Sequence, residues 1–228
     1  AQGAMGIEAP LDLLLDNIES YRTALSSVTV ASVVGDLLEQ KLADWSIEYL
    51  KLQPVFVRSG AICGPVRNGY SEPQMLGVDR WLGIVAAYRV SAGACIVVSC
   101  GTAITVDLVA QDGKHLGGFI APGLNLMLDS LTSRTRQIKL DGVIPELGLS
   151  PAVATSGAVY SACGAMLTGL IDNGMKQLHR LDQNTGFQMI FTGGDAARLL
   201  SFYPQALVVP DLVLDGLACV LDYPQRLE

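Results

Sequence analysis

Apolar residues along the chain recur either at helical spacing or as short continuous runs that are typical of buried strands. Near the start, residues 11–21 carry apolar side chains at helical spacing and predict a helix, and residues 28–34 predict a buried strand. A second helix is predicted over residues 37–45, and residues 54–57 predict another strand. The N-terminal part is therefore expected to mix helices and strands.

The rest of the chain continues this alternation. Asp112 and Gly113 form a strong hairpin signal between two predicted strands. The other predicted elements are a helix that begins near Gly77, a long helix from Ala158 to about His179 that is interrupted or frayed near Gly174, a strand at residues 187–191, and a helix at residues 196–200.

The stretch Val97–Leu108 is the most informative part of the sequence. A β-branched apolar run ends in a turn of small residues and resumes as a second strand, which brings a backbone close to a phosphate. Gly101 permits that approach, and Thr102 and Thr105 can donate hydroxyl hydrogen bonds beside exposed backbone N–H groups. An ordinary β-hairpin is the alternative, and this stretch alone leaves both interpretations open.

Two further motifs have a functional and a plain interpretation. Gly193 and Gly194 separate a predicted strand from a helix, where a nucleobase or ribose can lie against backbone, although such turns are often only structural. Asp79 and Arg80 stand in the first turn of the helix predicted near Gly77. They can serve catalysis and anion binding, or Asp79 can simply complement the helix dipole beside a solvated Arg80.

Composition and charge exclude several classes of function. The 228-residue chain is half hydrophobic and has a formal net charge of −7, and its few basic clusters argue against nucleic-acid binding. It lacks a run of about 18 apolar residues and a signal-peptide pattern, so no membrane association is predicted. We expect a cytoplasmic enzyme with one large or two small domains, in which local donors and metal hold any anionic ligand.

The five cysteines are scattered and show no Cys-x-x-Cys spacing, so they are expected to be buried thiols in a reducing compartment. Cys100 lies inside the turn of small residues that could approach a phosphate, which we call the phosphate turn, and it could be mistaken for a nucleophile. The sequence offers only His115 and His179 as partners, which argues against a cysteine hydrolase and a histidine-rich metal site. Each histidine is expected to be a surface or packing residue.

Four ordered motifs resemble those of the type III pantothenate kinases. They are Gly77-Val78-Asp79-Arg80-Trp81, Cys100-Gly101-Thr102-Ala103-Ile104-Thr105-Val106-Asp107, His115-Leu116-Gly117-Gly118-Phe119-Ile120-Ala121-Pro122-Gly123, and Phe191-Thr192-Gly193-Gly194-Asp195. The resemblance runs from about Asn68 to the C-terminus and, more loosely, back to the N-terminal helix. Four motifs in one order are far more specific than any single one.

The resemblance implies an α/β fold of the acetate and sugar kinase, Hsp70 and actin superfamily, which is ribonuclease H-like and has two domains with ATP between them. We expect an N-terminal domain at residues 1–90 and a C-terminal domain at residues 91–228. The implied reaction transfers the γ-phosphoryl group of ATP to pantothenate, which gives 4'-phosphopantothenate in the first step of coenzyme A biosynthesis. The implied enzyme is a homodimer that uses Mg²⁺ and a monovalent cation, K⁺ or NH₄⁺.

The resemblance also implies roles for single residues. Asp79 matches the catalytic base, and Thr102 matches a threonine that contacts ATP phosphate. The remaining matches are Tyr70, Gly77, Val78, Arg80 and Thr155 for pantothenate binding, and Gly101, Gly193 and Gly194 for ATP binding.

Two features depart from the family pattern. Ser99 stands where relatives usually place an Asp that helps to hold the monovalent cation, and a neutral hydroxyl is a weaker cation ligand than a carboxylate. Relatives also begin with a strand that ends in Asp-x-Gly-Asn-Thr, and this first phosphate-loop strand is missing from the chain. Either the sequence is a fragment, which we favour, or the protein has lost that loop. A non-catalytic binding or accessory protein that retains the kinase fold is the alternative function.

Overall fold

The computed structural model describes residues 18–135, 138, 140, 146–183 and 186–223. The strands are β1 (Val28–Ala31), β2 (Pro54–Val57), β3 (Ile62–Cys63), β4 (Val66–Arg67), β5 (Cys95–Cys100), β6 (Ala103–Val109), β7 (His115–Pro122), β8 (Gln188–Thr192) and β9 (Leu207–Val208). The α-helices are α1 (Asp36–Trp45), α2 (Val78–Ser91), α3 (Leu124–Arg134), α4 (Thr155–Leu181), α5 (Ala196–Leu199) and α6 (Leu212–Asp222). Two 3₁₀ helices occupy Glu19–Ala24 and Pro73–Met75, and a π-helical turn, Ser46–Leu50, follows α1.

A five-stranded sheet with the order β7-β6-β5-β8-β9 organises the C-terminal half. β5, β6 and β7 are antiparallel neighbours, whereas β8 runs parallel to β5 and to β9. Successive side chains on a strand point to opposite faces, so Val98 faces one layer of helices and Val97 faces the other. Helices α3, α4 and α5 cover the first face, and α2 and α6 cover the second. Burial on both faces explains why β5 reads as a continuous apolar run.

The N-terminal elements are smaller than the sequence predicts. β1 pairs in parallel with β2, which offers only four partner residues, so the predicted strand at 28–34 ends at Ala31. Val33 lies beyond this pairing and is 62% exposed, and β1 itself is only half-buried. The predicted helix at 11–21 falls mostly outside the described residues, and its described end is a 3₁₀ helix after the buried Ile18.

Helix α4 is continuous, so the predicted interruption near Gly174 is wrong. Gly174 is buried, and a Cβ there would lie 2.9 Å from Cγ1 of Val106 on β6. The glycine therefore allows the helix to pack closely on the sheet and does not break it. The helix begins at Thr155, three residues before the predicted start.

Other predicted elements are confirmed. Helix α2 begins at Val78 after Gly77, and Gly113 has a positive φ of +82° in the turn between β6 and β7. Residues 188–192 form the short buried strand predicted near the C-terminal end, and α5 follows it with one turn of helix. In the part of the chain that the structure describes, no helix is long and apolar enough to cross a membrane.

Candidate active site

Three glycine-containing turns meet at one end of the central sheet. β5 ends at Cys100 and leads into the Gly101-Thr102 turn, and the strand pairing places the ends of β7 and β8 at the same side. Gly123 follows β7, and Gly193 and Gly194 follow β8. The topology therefore brings together residues that are more than 90 positions apart in the sequence.

Main-chain hydrogen bonds hold these turns against one another. The N–H of Gly123 donates to the carbonyl oxygen of Thr102 at 2.9 Å, and the N–H of Asp195 donates to the carbonyl oxygen of Cys100 at 3.2 Å. Gly193 has a φ of +89°, and a Cβ there would lie 2.7 Å from the carbonyl carbon of Cys100. A side chain at this position is excluded by both the backbone conformation and the space.

The glycine turns are accessible from outside. Gly101, Thr102, Gly193 and Gly194 are all exposed, and a Cβ added at Gly194 would meet nothing within 4 Å. The stretch Val97–Leu108 does form a β-hairpin, as the plain interpretation expected, but its exposed turn also leaves backbone within reach of a ligand. The two interpretations of this stretch are therefore compatible.

Ser99 lies in a row of three hydroxyl side chains near the same end of the sheet. It is the register partner of Thr105 on β6 and of Thr192 on β8, and the alternation of β5 puts it on the same face as Val97. Thr192 donates its hydroxyl hydrogen bond to the carbonyl oxygen of Pro210 at 3.1 Å. This row supplies oxygen atoms but no carboxylate.

Asp79 is an exposed carboxylate in the first turn of α2. Its Oδ1 accepts the main-chain N–H of Arg80 at 2.8 Å, and a Cβ at Gly77 would come within 2.7 Å of the same oxygen. Gly77 therefore leaves room for the carboxylate at the start of the helix. The Val78 side chain is buried in the core beneath α2, which fixes the position of this first turn.

Arg80 is buried and held by three hydrogen bonds. Its Nη2 donates to Oδ1 of Asp107 at 2.6 Å and its Nε donates to Oδ2 at 3.0 Å, while Nη1 donates to the Tyr70 hydroxyl at 3.0 Å. Burial alone lowers the pKa of Arg80, but the hydrogen bonds and charge of Asp107 outweigh it, and the pKa is raised above its ordinary value. Arg80 is therefore not the solvated neighbour that the plain interpretation expected.

Asp107 and His115 complete this cluster, and sequence reasoning assigned neither of them a role in a site. Nε2 of the fully buried His115 lies 3.0 Å from Oδ1 of Asp107, and the His115 ring stacks on Tyr70 with 6.0 Å between ring centroids. His115 was expected to be a surface or packing residue, and its burial excludes the surface position, although its ring nitrogen also contacts Asp107. The signal that could have found Asp107 is a lone charge within a strand that otherwise carries buried residues.

The Arg80 cluster lies near the glycine turns. Asp107 is the register partner of Val97, which is three residues before the end of β5 at Cys100. Three strand residues span about 10 Å, so Arg80 and the phosphate turn are separated by about 10 Å along the strand direction, a distance that one bound ligand can bridge. The start of α2, with Asp79, and the turn at Thr102 therefore belong to the same end of the sheet.

Within one chain, the fold does not bring Thr155 to the Arg80 cluster or to the glycine turns. It begins α4 on the opposite face of the sheet from α2 and is exposed. Leu167, twelve residues further along α4, lies beside Cys100 and Gly101. Twelve helical residues span about 18 Å, so Thr155 extends well beyond the glycine turns.

Cys100 is not an activated thiol, and the described residues form no preformed metal cage. Burial, and secondarily the charge of Asp195, raises the pKa of Cys100 to about 12. All five cysteines are buried, as predicted, and unbonded to one another. Among the described residues, no group of three or more His, Cys, Asp or Glu side chains could hold a metal ion.

Comparisons with known proteins agree on one family. A family model for type III pantothenate kinases matches residues 8–177. The type III pantothenate kinase of Ectopseudomonas mendocina (strain ymp) is 38% identical over 216 residues, which cover 93% of this chain and 87% of the relative. The type III pantothenate kinase of Azotobacter vinelandii (strain DJ / ATCC BAA-1303) is 37% identical over 227 residues, which cover 96% of this chain and 89% of the relative.

A solved structure supports the fold. The chain is similar to a protein from Campylobacter jejuni described as a Baf family transcriptional activator, with a TM-score of 0.58 and 19% identity over 90% of this chain and 87% of that one. At this level of identity the likeness concerns the fold alone. The fold is mixed α/β and actin-like, as the sequence motifs predicted.

Proposed function

The chain belongs to the type III pantothenate kinase family, and from this premise we propose which of its residues carry out the reaction. The reaction is the ATP-dependent phosphorylation of pantothenate, in the biosynthesis of coenzyme A, and the protein is a phosphotransferase. Phosphoryl transfer depends mainly on positioning the nucleophile and on neutralising charge, so each residue is assigned by what it can position or neutralise.

Asp79 is the proposed general base. The observation that carries this assignment is the contrast with its neighbour, since Asp79 is exposed at the start of α2 while Arg80 is buried and fixed. The Asp79 carboxylate can accept the proton of the pantothenate hydroxyl as that oxygen attacks the γ-phosphorus atom. Gly77 leaves the space that this carboxylate needs.

Arg80 and Tyr70 are proposed to bind pantothenate, together with Gly77 and Val78. A guanidinium has five N–H donors, and the hydrogen bonds to Asp107 and Tyr70 use three of them. The remaining two N–H groups are proposed to bind the carboxylate of pantothenate. The buried Val78 side chain contributes by fixing the first turn of α2.

The exposed glycine turns are proposed to bind ATP. Gly101 and Thr102 approach the phosphates, with the Thr102 hydroxyl as a donor, and Gly193 and Gly194 lie against the adenosine part. Main-chain hydrogen bonds that join the turn regions keep these two subsites at a fixed separation. We also retain as a proposal the division into domains at residues 1–90 and 91–228, with ATP between them.

The cation requirements are proposals as well. Mg²⁺ in kinases is usually held by one or two carboxylates and by the nucleotide phosphates, so the absence of a larger ligand cluster in the described residues is compatible with Mg²⁺ bound to ATP. Ser99, with the neighbouring Thr105 and Thr192, offers hydroxyl oxygens for K⁺ or NH₄⁺. These oxygens carry no formal charge, so we propose a weak monovalent site.

We further propose a cytoplasmic homodimer. Thr155 matches a pantothenate-binding threonine but extends about 18 Å along α4 beyond the residues at the phosphate turn. A second copy of the chain can supply Thr155 to the pantothenate site if α4 crosses the interface. The acidic charge and the scarcity of basic clusters fit a small-molecule enzyme that does not bind nucleic acid.

The test is direct formation of 4'-phosphopantothenate from pantothenate and ATP, followed by mass spectrometry. Asp79→Asn keeps the shape of the side chain but removes its basicity, so turnover should fall by about 10²-fold to 10⁴-fold while pantothenate still binds. Asp112→Asn is the matched control, because Asp112 is an exposed carboxylate in the turn between β6 and β7. Near-normal turnover of Asp79→Asn would show that Asp79 is not the base, and binding without turnover by the unaltered protein would favour an accessory role.

A further inference from the structure

Asp107 is a buried charge on an apolar sheet. It lies in β6 between the buried Val106 and Leu108, and its register partners are Val97 and Gly118. Its side chain is 2% exposed, and the Arg80 side chain that it binds is 6% exposed. Both oxygens accept hydrogen bonds from the same guanidinium, which is the fork-shaped arrangement that fixes a guanidinium plane most firmly.

Stability alone does not account for this pair. Removing two charges from water carries a large desolvation cost, and an apolar pair of similar volume is often as stable or more stable. On this face of the sheet Asp107 lies beside Val97 and Val109 as well as Thr105. An apolar pair in place of Asp107 and Arg80 would leave only His115 and Tyr70 without their present hydrogen-bond partners. The pair is therefore better explained by what it does to Arg80.

His115 fixes Asp107 in turn. A carboxylate only accepts hydrogen bonds, so Nε2 of His115 is the donor to Oδ1 of Asp107 at 3.0 Å. The His115 ring also stacks on Tyr70 with 15° between ring planes, and Tyr70 accepts the third hydrogen bond of Arg80. Asp107, His115 and Tyr70 thus form a closed circuit of contacts with the Arg80 guanidinium.

Gly118 leaves space for this circuit. It lies opposite Asp107 on β7, and a Cβ at this position would come within 2.9 Å of Nη2 of Arg80. The same Cβ would come closer still to Oδ1 of Asp107 and to the carbonyl oxygen of Val106, so a side chain here would press on the carboxylate as well as on the guanidinium.

We propose that Asp107 and His115 are positioning residues, which hold Arg80 in the orientation that binds pantothenate. The inference rests on the proposed binding of pantothenate by Arg80. Arg80 follows Asp79 directly in the first turn of α2, so anchoring the Arg80 side chain also fixes the rotation of that turn and the direction of the Asp79 carboxylate. Neither Asp107 nor His115 needs to touch substrate for this role.

The experiment compares Asp107→Asn, His115→Leu and His115→Gln by steady-state kinetics, by calorimetric binding of pantothenate and by thermal unfolding. Asp107→Asn should raise KM and Kd for pantothenate by about 10-fold to 100-fold, because affinity falls by about this much when a charge-assisted hydrogen bond is lost. It should change KM for ATP by less than about twofold. His115→Leu should weaken pantothenate binding by about threefold to tenfold. His115→Gln should restore binding, because its amide N–H can donate to the same carboxylate oxygen.

Thr168→Val is the control for a merely structural role. Thr168 is buried on the opposite face of the sheet and donates its hydroxyl to the carbonyl oxygen of Gly164 at 2.8 Å. This variant should lower Tm. Any change in KM should be of similar size for pantothenate and for ATP. The inference is overturned if Asp107→Asn behaves in the same way, or if His115→Gln and His115→Leu are equally impaired.

A double variant distinguishes the possible failures. If Asp107 acts through Arg80, adding Asp107→Asn to Arg80→Ala should change pantothenate affinity by less than about twofold, whereas additive losses would overturn the inference. If Asp107→Asn does not fold, the comparison of His115→Gln with His115→Leu decides whether the inference holds. If the unaltered protein does not bind pantothenate, both the proposed site and this inference are refuted. If it binds pantothenate and these variants do not change the affinity, only this inference is refuted.

Discussion

The main-chain N–H of Asp195 donates to the carbonyl oxygen of Cys100, which joins the turn after β8 to the end of β5. This contact requires the backbone of residue 193 to pass directly against Cys100. Gly193 does so with a positive φ of +89°. The relationship makes Gly193 the residue on which the spacing of the two glycine turns depends.

Gly193→Ala should lower both the free energy of unfolding and the affinity for ATP. The left-handed backbone alone costs an alanine about 1–2 kcal/mol, and its Cβ would also press on the Cys100 carbonyl group. Gly194→Ala is the control for stability, because its Cβ would meet nothing within 4 Å. Denaturant unfolding and KM for ATP measure the two effects, and equal stability of the two variants would contradict this account of Gly193.

Arg80→Ala should raise the pantothenate requirement by about 10-fold to 100-fold, because it removes the guanidinium that is proposed to bind the pantothenate carboxylate. It should also lower the free energy of unfolding by about 3–5 kcal/mol, since Asp107 would remain buried without its partner. Kinetics and denaturant unfolding on one preparation measure both effects. Arg67→Ala, which removes an exposed ion pair with Asp112, is the control, and an unchanged requirement in Arg80→Ala would remove Arg80 from the site.

Cys100 should be chemically inert and dispensable. Its pKa is raised from 9.0 to about 12, so near neutral pH the thiolate fraction is roughly 10³-fold smaller than that of an ordinary cysteine, and it grows only as the pH approaches 12. Iodoacetamide at pH 8 should therefore alkylate Cys100 far more slowly than free cysteine, as measured by peptide mass spectrometry. Cys100→Ser should retain turnover, and loss of turnover without loss of stability would revive the nucleophile interpretation.

Monovalent-cation activation should be weak and should depend on residue 99. Ser99 contributes a dipole but no charge, so half-activation should need more K⁺ than in relatives that carry an Asp at this position. Ser99→Asp would add a carboxylate between Thr105 and Thr192 and should lower the K⁺ concentration needed. A K⁺ titration against constant total salt, made up with Na⁺, measures this. Saturation at low millimolar K⁺ in both proteins would mean that other ligands build the site.

The local sequence determined much of the secondary structure. Gly77 ended one segment and began α2, the Asp112-Gly113 pair made the turn between β6 and β7, and continuous apolar residues made β5 a strand that is buried on both faces. These outcomes follow from steric limits and burial patterns that act within a few residues. Ordered motifs likewise identified the family, because each constrains residue type at a fixed spacing.

Tertiary structure decided the rest, because the deciding contacts join residues that are distant in sequence. The strand predicted to reach Val34 stops at Ala31, since β2 offers no further partners, and Gly174 continues α4 because Val106 packs against it. The sequence marked Arg80 as a charge in a helix turn, and only the fold provides Asp107, 27 residues away, as its buried partner. A charge pattern shows which residues are ionic, but which ions are removed from water together depends on how helix and sheet pack.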